Sequence, residues 1–270
     1  MHIVGVTGPA DAGRPSLVER LLARLDEHGR VATVRDASRP LPEDETTTRY
    51  QHAGSTATYS RTDDGWHARG DQRTLDDRLE QLAPTYDFVV VDDFPDAAIP
   101  QVVLGDDDSA GETLASAPTA TDIDTDAVVE ELLARDPFET LSSLVATAKA
   151  SPAAEKSGAI ATFTGRVRGK EHDDDTPTEF LEFERYDEVA TERMATIREE
   201  LEAREGVFEV LLHHRTGVVE YGEDIVFVVV LAGHRQEAFA TVEDGINRLK
   251  DEVPLFKKEV TVDDEFWAHE

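Results

Sequence analysis

Apolar residues along this 270-residue chain change their period several times, and each change marks an element. HIVGV at positions 2–6 is a short continuous apolar run, read as a buried strand. Leu17, Leu21, Leu22 and Leu25 then recur at three- and four-residue intervals, which predicts a helix over Ser16 to His28. VATVRD (31–36), DFVVVDD (87–93) and IPQVVLGD (99–106) read as further strands, and Leu75, Leu79 and Leu82 place a helix over Thr74 to Leu82. Positions 38 to 70 are polar, rich in Thr, Asp and Arg, with no period of their own. Strands alternating with helices predict an α/β domain with a parallel sheet over residues 1–106. Residues 107–123, DDSAGETLASAPTATDI, have the composition of an acidic linker.

The rest of the chain, 124–270, has a different rhythm. It opens with two helical patterns, DAVVEELLAR and FETLSSLVATAKA, expected to pair. AIATFTGRV (159–167), TEFLEFERY (178–186), FEVLLHHRTG (208–217) and EDIVFVVVLAG (223–233) read as strands, and KKEVTV (257–262) resumes extended structure. Helices are predicted over Asp187 to Arg204, with Asp187 placed as an N-cap, and over Arg235 to Glu252, stopped by Pro254. Runs of strands packed by two helices predict an α+β domain.

Composition narrows the function. Acidic residues number 58 against 27 basic ones, a net charge of −31, which argues against sequence-independent binding to nucleic acid or anionic membrane. With 39% apolar residues the chain reads as folded, with an acid-coated surface suited to high salt, the expectation for a halophile's cytoplasmic protein. No long apolar stretch predicts a membrane span. With no cysteine there is neither a thiolate metal site nor a cysteine nucleophile, and no close His/carboxylate set suggests a metal.

Two places carry candidate chemistry. GPADAGRPSL (8–17) lies between a strand and a helix, where a phosphate loop G-x-x-x-x-G-K-[ST] belongs. Gly8 and Gly13 keep its spacing, but Arg14 and Pro15 stand at its Lys and Ser/Thr positions, so the stretch is either a nucleotide site or the shell of one. Asp92 and Asp93, ending a strand, are the candidate carboxylates for a bound Mg²⁺.

The second place is marked by lysine. Only six of the 27 basic residues are Lys, and three of those are Lys250, Lys257 and Lys258. Arg keeps its proton in proteins, whereas Lys offers an amine that can cycle one. With Pro254 turning the chain, Lys257 can return beside Lys250; the alternative is a helix-end charge and two solvated lysines. GHR (233–235) at a helix start, GRVR (165–168) and HHR (213–215) add Arg166, Arg168, His214, Arg215, His234 and Arg235 as an anion pocket or as salt-bridge partners. His213 reads as structural and His269 as uninformative.

These residues also carry resemblances. SGAIATFTGRVRG, HHRTGVVEYGEDIVFVVVLAGHRQEAF and LKDEVPLFKKE, in that order over about 155–268, resemble the large, catalytic subunit of molybdopterin synthase, the MoaE family. The resemblance implies an α/β hammerhead fold and a homodimer. It implies conversion of cyclic pyranopterin monophosphate into molybdopterin with no cofactor required. The sulfur would arrive as a thiocarboxylate on the tail of a small ubiquitin-like β-grasp carrier, MoaD-like. By the same resemblance Lys250 and Lys257 are catalytic, and Arg168, His234 and Arg235 bind substrate; Phe256 stands where the family has Trp. HIVGVTGPADAG, YQHAGS (50–55) and DFVVVDDFPDAAIPQVVLGD resemble the MobB family over about 2–106, which implies nucleotide and Mg²⁺ at Gly8, Gly13 and Arg14 were the loop intact. Two other readings stay open: a non-catalytic scaffold whose lysines accept isopeptide linkage from the carrier, and a P-loop nucleotide-binding protein.

Overall fold

The computed structural model describes residues 1–36, 45–63, 65–70, 73–170, 172–173, 175–262 and 265–268. His269, the start of the polar stretch at 38–44, and Glu171 and Asp174 of the loop after Arg168 lie outside the described residues. The chain divides into two compact units, Met1–Phe138 and Glu139–Glu270.

Unit 1 runs β1 (His2–Thr7), α1 (Arg14–Leu25), β2 (Val31–Arg35), α2 (Glu45–His52), β3 (Ala57–Thr62), β4 (Gly65–Gly70), α3 (Leu75–Leu82), β5 (Phe88–Asp92), β6 (Gln101–Leu104), β7 (Thr113–Ala117) and α4 (Thr125–Leu133). Its sheet is parallel throughout, in the order β2-β5-β1-β6-β7. Alternation along the strands divides the core between two faces. Val4, Val6, Val90, Val102 and Leu104 pack with Leu17, Leu21 and Leu25 of α1 and Val128 and Leu132 of α4. Ile3, Val89 and Val91 pack on the other face with Leu79 of α3. Thr74 caps α3 through a reciprocal capping box with Asp77.

The predicted linker is not a linker. Residues 113–117 form β7, hydrogen-bonded to β6, and α4 packs in the core of unit 1, so this unit extends 32 residues beyond the predicted boundary at 106, to Phe138. The expected helical pair is split: α4 belongs to unit 1, and α5 (Leu141–Ala150) opens unit 2. The polar stretch also holds regular structure, with β3 and β4 forming an antiparallel hairpin.

Unit 2 continues with β8 (Ala159–Arg166), β9 (Thr178–Arg185), α6 (Asp187–Glu202), β10 (Val207–His214), β11 (Gly217–Glu220), β12 (Asp224–Ala232), α7 (Arg235–Glu252), β13 (Leu255–Thr261) and β14 (Glu265–Ala268). Two antiparallel sheets, β10-β12-β8 and β11-β9-β13-β14, make this the expected α+β architecture. β12 is the uninterrupted apolar run because both its faces are covered. Val226, Val228 and Val230 pack in the core shared with α6 and α7, while Phe227, Val229 and Leu231 pack with Leu144 and Ala148 of α5. Gly245 permits the close approach of α7, since a Cβ there would lie 3.2 Å from Val228 and 3.5 Å from Leu201. Tyr186, not Asp187, occupies the N-cap position of α6.

Candidate active site

α7 ends at Glu252, and its exit decides what meets what. Buried Leu249 and Ile246 tie its last turns to the core, and Lys250 follows directly. Arg248 pins this end: its Nε lies 2.6 Å from Glu252 Oε1 and its Nη2 2.6 Å from Glu200 Oε2 on α6. The hydrogen bond from Arg248 holds the Glu252 carboxyl below the usual carboxylate range, against a smaller opposing effect of burial. Hydrogen bonds to Glu252 and Glu200 in turn raise Arg248.

Past Pro254 the chain returns as β13, antiparallel to β9, with Lys257 opposite Phe183 and Glu259 opposite Leu181. Alternation then sends Leu255, Lys257 and Glu259 to one face of the sheet and Phe256 and Lys258 to the other. The first face borders a cavity of about 360 Å³.

Its walls are apolar, from Phe163, Leu181, Phe183, Ile225 and Leu249 among others, and its polar groups are Arg166, Arg168, His214, Lys250, Lys257 and Glu259. The lining thus carries four cationic side chains and one carboxylate, in a chain of net charge −31. Arg166 and Arg168 reach it from the end of β8, with Val167 between them buried at 2% exposure. Arg166 is held by the Gly222 carbonyl and by Asp224, 3.2 Å away. His214 is buried against Phe183, edge to face at 4.8 Å, with its Nδ1 2.7 Å from the Arg215 carbonyl. A carbonyl only accepts, so that contact places the proton on Nδ1. Glu259 accepts a hydrogen bond from Thr178 across the β9–β13 pair.

The structure thus gathers Lys250, Lys257 and Arg168, and does not bring His234 and Arg235 to them. His234 is the N-cap of α7 and Arg235 its first residue, both exposed. Fifteen residues of helix separate Arg235 from Lys250, about 22 Å along the axis. Arg215 turns away from the cavity toward Glu223 and the Asp224 carbonyl, and His213 stacks on Phe227. Glu259 is the charged lining residue that sequence reasoning missed. Its signal was the strand period itself, two positions beyond Lys257.

In unit 1, Gly8 follows β1, Gly13 is the N-cap of α1, and Arg14 is the first residue of that helix. Arg14 contacts the Gly8 carbonyl, Asp92 and Asp93. Among the described residues no group of His, Asp or Glu is arranged to hold a metal, and no helix is long and apolar enough to cross a membrane.

Comparison with known proteins fits this division. Residues 133–252 match the MoaE protein family, and residues 3–128 match the family of molybdopterin guanine dinucleotide synthesis protein B, MobB. A relative from Haloferax volcanii, named "probable molybdopterin synthase", is 53% identical over 271 residues and covers all of both chains. The molybdopterin synthase catalytic subunit of Pyrococcus abyssi is 40% identical over 110 residues, 41% of this chain and 73% of its own. The crystal structure of molybdopterin synthase from Staphylococcus aureus covers 43% of this chain and 83% of its own, at 32% identity and a TM-score of 0.40. With a MoaE domain following a MobB-like one, the chain belongs to the molybdopterin synthase family, sulfur-transferring enzymes of molybdenum cofactor biosynthesis.

Proposed function

We propose that the cavity of unit 2 is where sulfur is installed on cyclic pyranopterin monophosphate, with the sulfur presented as a C-terminal thiocarboxylate by a small ubiquitin-like β-grasp carrier. The observation that carries this reading is the convergence of Lys250, Lys257 and Arg168 on one apolar-walled cavity. The carrier's thiocarboxylate sulfur bonds to a pterin side-chain carbon as a carbon–oxygen bond at that carbon breaks, the oxygen departing on the phosphate or as water. Water then hydrolyses the acyl–sulfur bond, which leaves the sulfur on the pterin as a thiolate and releases the carrier as its carboxylate, and a second carrier delivers the second sulfur in the same way. Each step moves protons and develops negative charge on oxygen. Lys250 and Lys257 supply the proton transfers and oppose that charge, and the apolar walls strengthen the effect by excluding water. Arg168, beside Arg166, holds the phosphate end and so fixes the pterin relative to the lysines.

His234 and Arg235 enter through a second copy of the chain. One chain cannot place both ends of α7 on one small substrate, since about 22 Å separates them. In a homodimer the His234–Arg235 pair of one chain completes the pocket that contains the other's Lys250. Mixing folded K250A with folded R235A tests this: exchange of subunits creates one intact pocket per mixed dimer and restores activity that neither variant has alone. No restoration after verified exchange places both groups on separate tasks.

The function itself is tested by reconstitution at high salt with the purified chain, the cyclic pterin and a thiocarboxylated carrier. Dithiolene is read after oxidation to a fluorescent pterin. Product is expected; its absence from folded protein with a competent carrier would overturn the reading.

A further inference from the structure

Residues 8–15 lie where the MobB family's phosphate loop belongs, and a Mg²⁺–nucleotide does not fit them. The counter-ions are the first reason. Arg14 stands at the lysine position, yet its side chain, 12% exposed, turns back across the loop. Its Nη1 donates to the Gly8 carbonyl at 2.8 Å and also meets Asp93, and its Nε lies 2.9 Å from Asp92 Oδ1. The other oxygen of Asp92 faces Arg35 Nε at 3.4 Å. The carboxylates available for Mg²⁺ are therefore both engaged by guanidinium groups. Mg²⁺ demands oxygen ligands at about 2.1 Å in near-octahedral array, which a guanidinium at this position blocks. Arg14 Nε and Asp92 Oδ1 are both buried and lack a hydrogen-bond partner, but they face each other, so their ion contact accounts for them without a ligand.

The backbone is the second reason. A phosphate loop works by turning its N–H groups on the anion. Pro9 and Pro15 have none. Ala12 and Gly13 spend theirs on the Pro9 and Ala10 carbonyls, both at 3.1 Å, in a single 3₁₀ turn.

The third reason concerns the two glycines, which packing explains fully. Gly8 has φ 123°, and a Cβ there would lie 2.3 Å from the Leu104 carbonyl oxygen. Gly13 has φ 93°, and a Cβ would lie 2.9 Å from that of Ala120. Both positions exclude side chains because β6 and the turn before α4 come close, whether or not a phosphate ever does.

From these three observations we propose that the loop is a nucleotide site closed by its own arginine. Arg14 takes the place of the lysine and of the metal together, as a fixed cation that ties the loop to the end of β5. The full chain accordingly binds no Mg²⁺–nucleoside triphosphate, and unit 1 is retained for something other than nucleotide handling. The sulfur-transfer reading of unit 2 stands or falls separately.

The test uses the full-length chain in concentrated KCl with MgCl₂ and ribose-labelled fluorescent GTP and ATP. For the wild type, neither nucleotide at millimolar concentration should change its anisotropy or raise the protein's melting temperature. R14K/P15T, which restores the family's Lys and hydroxyl and a backbone N–H at position 15, should gain saturable, Mg²⁺-dependent binding. The glycine spacing and both carboxylates are still in place and, without the guanidinium tie, the single turn that occupies the Ala12 and Gly13 N–H groups can open. R14K alone serves if the double variant does not fold, with weaker binding expected. Saturable Mg²⁺-dependent binding by the wild type would overturn the proposal. So would a folded lysine variant that stays silent, because closure would then not lie with Arg14.

Discussion

Lys257 and Lys258 are neighbours with the same side chain, yet β13 sends them to opposite faces of its sheet, and only Lys257 borders the cavity. Single alanine variants should therefore separate sharply. K257A should lose about 100-fold or more in turnover, the scale of a displaced proton-transfer group, while K258A stays near wild type; equal losses would contradict the placement. K257R should also be poor, because a guanidinium does not cycle its proton. Residue type, a helix-breaking Pro254 and strand alternation are local signals, and they offered Lys250, Lys257, Arg166 and Arg168 as candidates, from which the family resemblance picked Lys250, Lys257 and Arg168. The separation of His234 from Lys250 was implicit in the predicted helix, since both end it; only the finished fold says which end faces the cavity. Gly8 makes the same point from the other side. Its spacing reads as a phosphate loop, but its neighbour is the Leu104 carbonyl. G8A should destabilise unit 1 by more than about 1 kcal/mol, as substitutions incompatible with a positive φ do, and added nucleotide should not restore the loss in a thermal melt. A melt equal to wild type would mean the turn tolerates a side chain.

At the scale of elements, α7 carries candidate site residues at both tips, and its C-terminal tip is set by ion pairs. Arg248 joins Glu252 on its own helix to Glu200 on α6, and Arg193 of α6 lies 3.7 Å from Glu252. Because the hydrogen bond from Arg248 lowers the folded-state pKa of Glu252, its stabilising contribution is complete above the unfolded value, about 4.3, and disappears as pH falls through the lower folded value. E252Q should thus melt below wild type at neutral pH and converge with it in acid. A gap that persists at low pH would assign the effect to packing instead. The long, strongly periodic elements were legible: α1, α7 and β12 each bury a continuous stripe or both faces. The edge strands β2, β8 and β10 were legible too, but β7 and β11 were not. β7 carries a single large apolar residue, Leu114, and β11 is four residues long, so tertiary pairing rather than pattern makes them strands. That is why an acidic, Ala- and Ser-rich stretch read as a linker is a sheet edge, and why the boundary between units was placed too early.

For the whole molecule, a net charge of −31 on 270 residues sets the conditions under which anything else is measured. Self-repulsion among exposed carboxylates opposes the compact state, and it is screened to a range of roughly 3 Å in molar salt. The melting temperature should rise steeply from dilute buffer to molar KCl and then level off; a flat profile would mean that short-range ion pairs already balance the charge. The cavity in unit 2 runs against this background, four cations and one carboxylate in a strongly acidic chain, and the account rests on the claim that its lysines perform the sulfur transfer. The most direct measurement is dithiolene formation by K250A at saturating pterin and thiocarboxylated carrier, in molar salt, with the melting temperature recorded alongside. The account predicts a rate at least about 100-fold below wild type with the melt unchanged. A K250A protein that makes dithiolene at the wild-type rate would contradict it.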